Sequence, residues 1–151
     1  MPIGQLIDPS FDDQEDPNIV ILNLLKEQWG SGRPNFKLKK AAISFVSQES
    51  FYSGEDYAVV VWWEGDAVGR WGIPSTRRYH HSKHRVWVFA KSPNDRWIMC
   101  REVMRILQRF QNHPSKSIER LDYYDWVPWQ QESPNQILWR AHTDVVAIYV
   151  S

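Results

Sequence analysis

Residues 77–97 read RRYHHSKHRVWVFAKSPNDRW. The first thirteen positions hold three histidines, four basic residues and three large aromatics, and then the character changes. Val86 to Ala90, VWVFA, is β-branched and aromatic, the composition of a buried strand. Two residues later Ser92 is a good N-cap, Pro93 suits the first helical position, and Asp95 sits where an acid favours the helix dipole. A strand with a polar beginning and a dry root therefore leads straight into a capped helix. Along that helix Trp97, Cys100, Val103, Met104, Leu107 and Phe110 predict one apolar stripe. Arg101, Arg105 and Arg109 form a basic stripe opposite, and Pro114 marks the end.

Working outward, Asp16-Pro17 reads as an N-cap with proline at the first helical position. NIVILNLLKEQW follows with helical apolar spacing at Ile19, Val20, Leu22, Leu24, Leu25 and Trp29, and GSGRP stops it. AAISFVS (41–47) and YAVVVWWE (57–64) read as strands, the second apolar on both faces. EGDAVGRWGIPSTRR (64–78) reads as a long irregular connection into the third strand. After the second helix, residues 119–127 and 137–150 predict two more strands. In the last, Ile137, Trp139 and Ala141 share one face, while Arg140, His142 and Asp144 share a wet face; from Val145 onward both faces are dry. The order α-β-β-β-α-β-β predicts an α+β domain. Its sheet is mainly antiparallel, with two helices packed on a face and a long protruding β-hairpin. Residues 1–16 form an acidic arm, expected to be mobile, and 17–151 a single domain.

Composition narrows the class. The chain has 151 residues, enough for one domain with a real core. An apolar fraction of 42% argues against disorder, and nine tryptophans point to large cores or interfaces. No segment has the ~18 apolar residues of a membrane span, and the acidic N-terminus lacks the apolar run of a signal peptide. With one cysteine, Cys100, there is no disulfide framework, and a reducing compartment is expected. The formal net charge is zero, but the charge is uneven. Residues 1–25 hold Asp8, Asp12, Asp13, Glu15 and Asp16 and no Lys or Arg. Residues 67–94 hold Arg70, Arg77, Arg78, Lys83, Arg85 and Lys91 and no acid. Two solvated patches are the ordinary account; complementary faces on neighbouring subunits are the alternative.

The histidines do not make a metal site by spacing. On a strand His80 and His84 share a face but lie ~13 Å apart, and His81 faces the other way. Cys100, in mid-stripe, reads as an inert core thiol rather than a nucleophile. Glu64 and Asp66 show no convergence with Asp56, and the glycines match no phosphate loop. No catalytic role and no cofactor is expected. Nucleic-acid binding has more to recommend it: Arg70, Trp71, Arg77, Arg78, Tyr79, Lys83 and Arg85 interleave cations with rings, as single-strand binders do. The Arg101, Arg105, Arg109 stripe could track phosphates, although a solvated helix face is the plainer account. Aromatics also mark interfaces: Tyr123, Tyr124, Trp126 and Trp129 crowd seven positions, and Trp62 and Trp63 must face opposite sides of their strand.

Taken together, PNIVILNLLKEQW, the hairpin YAVVVWWEGDAVGRWGIPSTRRYHHSKHRVWVFA, the helix capped by SPND and the closing LWRAHTDVVAIYV resemble the tail-terminator and head–tail joining (neck) proteins of tailed bacteriophages. The resemblance covers residues 17–150 as a pattern, without a catalytic signature. It implies a sheet flanked by helices and a homo-oligomeric ring, usually a hexamer, in the virion neck or tail. Its neighbours would be the tail tube and the connector or neck proteins, with non-specific contact to passing genomic DNA and no membrane. On this reading His80, His81, Lys83, His84 and Arg85 are contact residues. Arg70, Arg77, Arg78, Arg101, Arg105 and Arg109 face a neighbour or the lumen, and Trp71, Tyr123, Tyr124, Trp126 and Trp129 are interface aromatics. A single-stranded nucleic-acid module is the main alternative. A small enzyme around His80, His84 and Asp66 is the third.

Overall fold

The computed structural model describes residues 15–47, 57–70, 78–133 and 136–150, except for the side chains of 68–70, 78, 129–133 and 136–138. The expected arm over residues 1–16 lies outside them, apart from Glu15 and Asp16. Those two already belong to the domain. Asp16 caps the first helix by accepting from the Asn18 N–H at 2.9 Å, and Glu15 accepts from the Ser117 hydroxyl at 3.0 Å.

The chain is α+β, and its described residues form two helices and one mixed sheet of six strands. The elements run α1 (Pro17–Gln28), a short 3₁₀ turn (Lys40–Ala42), β1 (Ser44–Ser47), β2 (Ala58–Arg70), β3 (Arg78–Ala90), α2 (Pro93–Arg109), β4 (Arg120–Tyr123), β5 (Val127–Ser133) and β6 (Gln136–Val150). The sheet order is β1-β2-β3-β6-β4, and β5 pairs with the first half of β6. Among the described residues only β1 with β2 is parallel; the other pairings are antiparallel. The strand expected over 119–127 stops at Tyr123 as β4, and a further, unexpected strand, β5, begins at Val127. Between them the chain leaves the ladder, held by the Tyr124 N–H to the Asp144 carbonyl (3.1 Å) and the Thr143 hydroxyl to the Tyr124 carbonyl (2.6 Å).

β2 also runs further than its glycines suggest. The stretch from Glu64 expected as a connection is ladder out to Arg70, paired with β3 as far as Arg78. The irregularity is absorbed in one bulge between Trp63 and Gly65, where Gly65 takes φ 135°. A glycine reaches that backbone region cheaply, so the ladder resumes beyond it. β6 flanks β3 from Trp139 opposite Ala90 to Val150 opposite Tyr79, so β3 is an interior strand throughout. Residues 71–77 lie outside the described ones.

Both helices pack on one sheet face. Ile21 and Leu25 of α1 and Met99, Val103, Ile106 and Leu107 of α2 meet Val59, Val61, Val86, Val88, Ala141, Val145 and Ala147, all buried. At roughly 1.5–3 kcal/mol per buried aliphatic chain, this layer is the main favourable term. α2 is rolled by roughly 60° from the expected stripe. Met99 and Ile106 are buried, whereas Trp97 and Met104 are exposed at 57% and 37%. The roll brings Asp95 and Glu102 inward, and each finds partners there. Asp95 accepts from Lys37 Nζ (2.9 Å) and the Tyr57 hydroxyl (2.7 Å), and Glu102 from Arg105 and the Gly30 N–H. α1 is likewise turned: Asn18, Ile21 and Leu25 face the sheet, and Ile19 is 43% exposed. Among the described residues no helix is long and apolar enough to cross a membrane.

Candidate functional site

The distal half of β2 and β3 holds most of the residues singled out by the sequence, and the pleat sorts them onto two faces. His80, Ser82 and His84 point to the helix side; His81, Lys83 and Arg85 point to the other.

On the helix side His84 is not a contact residue. It is 1% exposed, its Nδ1 is 2.8 Å from Asn18 Oδ1, and its Nε2 is 2.7 Å from the Ser82 hydroxyl. Asn18 uses its amide NH₂ on the Val61 carbonyl at 3.1 Å, which leaves its oxygen toward the ring. His84 is thus a neutral imidazole that donates from Nδ1 and accepts at Nε2. Burial pushes its pKa down to about 4, against the opposing pull of Asp16 and Asp66. The expectation of exposure failed because α1 lies over the strand at this point: Asn18, one turn from Ile21, brings a polar group to meet the histidine. His80 lies further out, stacked on Tyr149 with ring centroids 4.5 Å apart and planes 2° off parallel. Tyr149 is buried, and burial raises its pKa, with Asp66 and Asp16 adding to the effect. Among the described residues, no three His, Cys, Asp or Glu side chains are grouped so as to hold a metal.

The opposite face carries a cross-strand ladder. Arg85 Nε is 3.1 Å from Asp144 and 3.6 Å from Glu64, and Lys83 Nζ is 3.6 Å from Asp144. Lys83 and Arg85 of the basic run therefore meet carboxylates from β2 and β6. Deeper along the same face Trp87 packs 4.4 Å from the His142 ring, under the Arg140 guanidinium at 5.1 Å, and beside Phe89. His142, expected on a wet face, is buried, because Trp87 covers it. Burial and then Arg85 lower its pKa. Trp62 stands at 39% and Trp63 at 46% exposure on the two faces, and Trp63 Nε1 donates to Asp66 at 3.2 Å.

The arginine stripe on α2 divides by role. Arg105 is a structural clamp. Nε meets Glu102 Oε1 at 2.6 Å, Nη2 meets Oε2 at 3.0 Å, and Nη2 also reaches the Gln28 carbonyl at 2.9 Å, tying α2 to the end of α1. Burial acts to raise the Glu102 carboxyl, but Arg105, the Gly30 N–H and Arg33 outweigh it and hold it below the usual range. Arg101 and Arg109 are exposed, Arg101 lying over the Trp97 ring at 4.8 Å and Arg109 over Phe110 at 5.5 Å.

Of the expected interface aromatics, Tyr123 and Trp126 pack against the core, whereas Tyr124 is 56% exposed. Met104, Tyr123, Tyr124, Asp125 and Trp126 line a cleft there, and the buried Trp126 Nε1 has no hydrogen-bond partner among the described residues. Arg70, Arg78 and Trp129 are placed by backbone alone, in β2, β3 and β5; Arg77 and Trp71 lie outside the described residues. Sequence reasoning missed the exposure of Trp97 and Met104. No local signal could have found it: Asp95 and Glu102 share a helical stripe with Met99 and Ile106, and acids on a stripe ordinarily mark a solvent face.

A scan against protein-family models finds no match to the chain, and a search of curated proteins finds none either.

Proposed function

We propose that the chain is a structural subunit that closes into a ring at the head–tail junction of a tailed bacteriophage virion. It would act there as tail terminator or neck adaptor between tail tube and connector. One observation carries the reading. Trp62, Trp63, Trp97, Met104, Tyr124 and Val127 all remain exposed on a domain whose core is filled by other residues. Large apolar groups left at the surface in this number are what a subunit contact uses. The antiparallel pairing of the two thirteen-residue strands β2 and β3 supports the reading as well.

The ring takes precedence over the single-stranded nucleic-acid module because Lys83, Arg85 and Arg105 are engaged with carboxylates of their own chain. Cations already paired have less to give a phosphate backbone. Arg85 is correspondingly a poor position at which to test assembly, since reversing its charge disturbs the fold. The test is the solution mass by light scattering across protein concentration, with negative-stain images of the main peak and an oligonucleotide titration beside it. A closed ring that binds DNA weakly is expected; a monomer with strong, salt-dependent oligonucleotide affinity overturns the reading.

A further inference from the structure

We infer that the ring contact is helix-in-groove: the outer stripe of α2 on one copy seats in the groove beside α1 on the next copy. The inference rests on the ring reading and names the two surfaces that would close it.

The groove runs between α1 and the segment after α2. Ile19, Val20 and Leu24 form its apolar part, Glu15, Asp16 and Glu27 supply carboxylates, and Pro114 and Ser115 form the far wall. Among the described residues no Lys or Arg lines it. Ile19 is exposed at 43% although it stands in an amphipathic helix with a filled buried face.

The α2 stripe has the opposite character. Trp97, Arg101, Met104 and Gln108 recur at helical spacing on its solvent side. Trp97 and Met104 are the large apolar groups, Arg101 lies against the Trp97 ring, and Arg109 adds charge at the end of the helix. Tyr124 extends the apolar strip from Met104 into the adjoining cleft. An exposed ridge of rings and cations fits an apolar groove rimmed by acids, with the apolar parts supplying affinity and the charges register.

The two surfaces cannot satisfy each other within one chain. Met99, Val103 and Ile106 hold α2 on the sheet, which points its stripe outward, and Ile21 and Leu25 fix α1 in the same way. Only a second copy brings ridge to groove. Because the two surfaces differ, the contact is head-to-tail and repeats until it closes.

Arg101 and Glu27 are both exposed, and the charge-swap test uses them. Arg101→Glu places an acid against the acidic groove, and Glu27→Arg places a cation against the basic ridge. Each variant, with its native-like fold checked by circular dichroism, is expected to weaken self-association about tenfold or more by light scattering at low salt. The double variant carries the pair reversed and is expected to recover. An equimolar mixture of the two single variants is also expected to recover, since every contact in an alternating assembly then joins opposite charges. Single variants that assemble as the native chain does overturn this contact and leave the ring reading standing. Variants that weaken assembly without recovery in the double variant or the mixture also overturn it. A native chain that stays monomeric overturns both.

Discussion

His84 Nδ1 lies 2.8 Å from Asn18 Oδ1 with both residues buried, so a polar contact joins β3 to the first turn of α1. The contact requires a neutral imidazole, because Asn18 offers its oxygen and the Ser82 hydroxyl must donate to the far nitrogen. The groups facing the ring are Asn18, Ser82 and, at longer range, Asp16 and Asp66.

The pH dependence follows in sign. The folded-state pKa of His84 is about 4, below its usual 6.5, so between those values the unfolded chain binds the extra proton. Stability is therefore fully present above pH 6.5 and falls with acid until about pH 4. The full span is worth roughly 3 kcal/mol. Urea midpoints measured from pH 7.5 to 4 should fall accordingly, and His84→Gln should flatten that slope while lowering stability at neutral pH. A His84→Gln variant with the native slope would assign the acid sensitivity elsewhere.

Arg101 and Arg105 are four residues apart on α2, and the structure predicts different consequences for losing them. Arg105→Ala leaves the buried Glu102 carboxylate without its bidentate partner and frees the Gln28 carbonyl, and should cost about 3–5 kcal/mol. Arg101→Ala removes only an exposed stacking contact and should fall within about 1 kcal/mol of the native chain. Chemical denaturation of the two variants decides this; equal stabilities would show that the Glu102 clamp is not structural.

The same helix shows what is legible in a sequence. Its start is legible because Ser92, Pro93 and Asp95 act locally, and the Ser92 hydroxyl does accept from the Asp95 N–H at 3.1 Å. Its roll is not, because the partners that make burial of Asp95 and Glu102 tolerable come from Lys37, Tyr57, Gly30 and Arg33, far away in the chain. For the candidate contact residues the limit is similar. Composition marks Lys83 and Arg85 as free cations, and only the β3–β6 register brings Asp144 beside them. His84 looks like part of a polar strand end until α1 is laid across it.

Cys100 tests the packing of α2 from inside. The thiol is buried, and burial, only partly offset by Arg96, pushes its pKa up to about 12. Thiolate is the reactive form. Reaction with a disulfide reagent at pH 8 should therefore be slow in the native chain and complete within minutes in denaturant. Rapid labelling of the native protein would mean that α2 opens readily from the sheet.

The bulge at Gly65 makes the last prediction. Its φ of 135° is a region that L side chains rarely adopt, although no atom crowds the position of a Cβ there. Gly65→Ala is therefore penalised by backbone strain alone, on the order of 1–3 kcal/mol. The strain should appear locally, because the pairs beyond it, Asp66 with Ser82 and Ala67 with His81, depend on the bulge to return to register. Hydrogen exchange should show protection lost at Ala67 and His81 while Val59 and Val88 on the near side keep theirs. Uniform loss over both sides would show that β2 and β3 open as one unit. Unchanged protection would mean that an alanine is accommodated without strain.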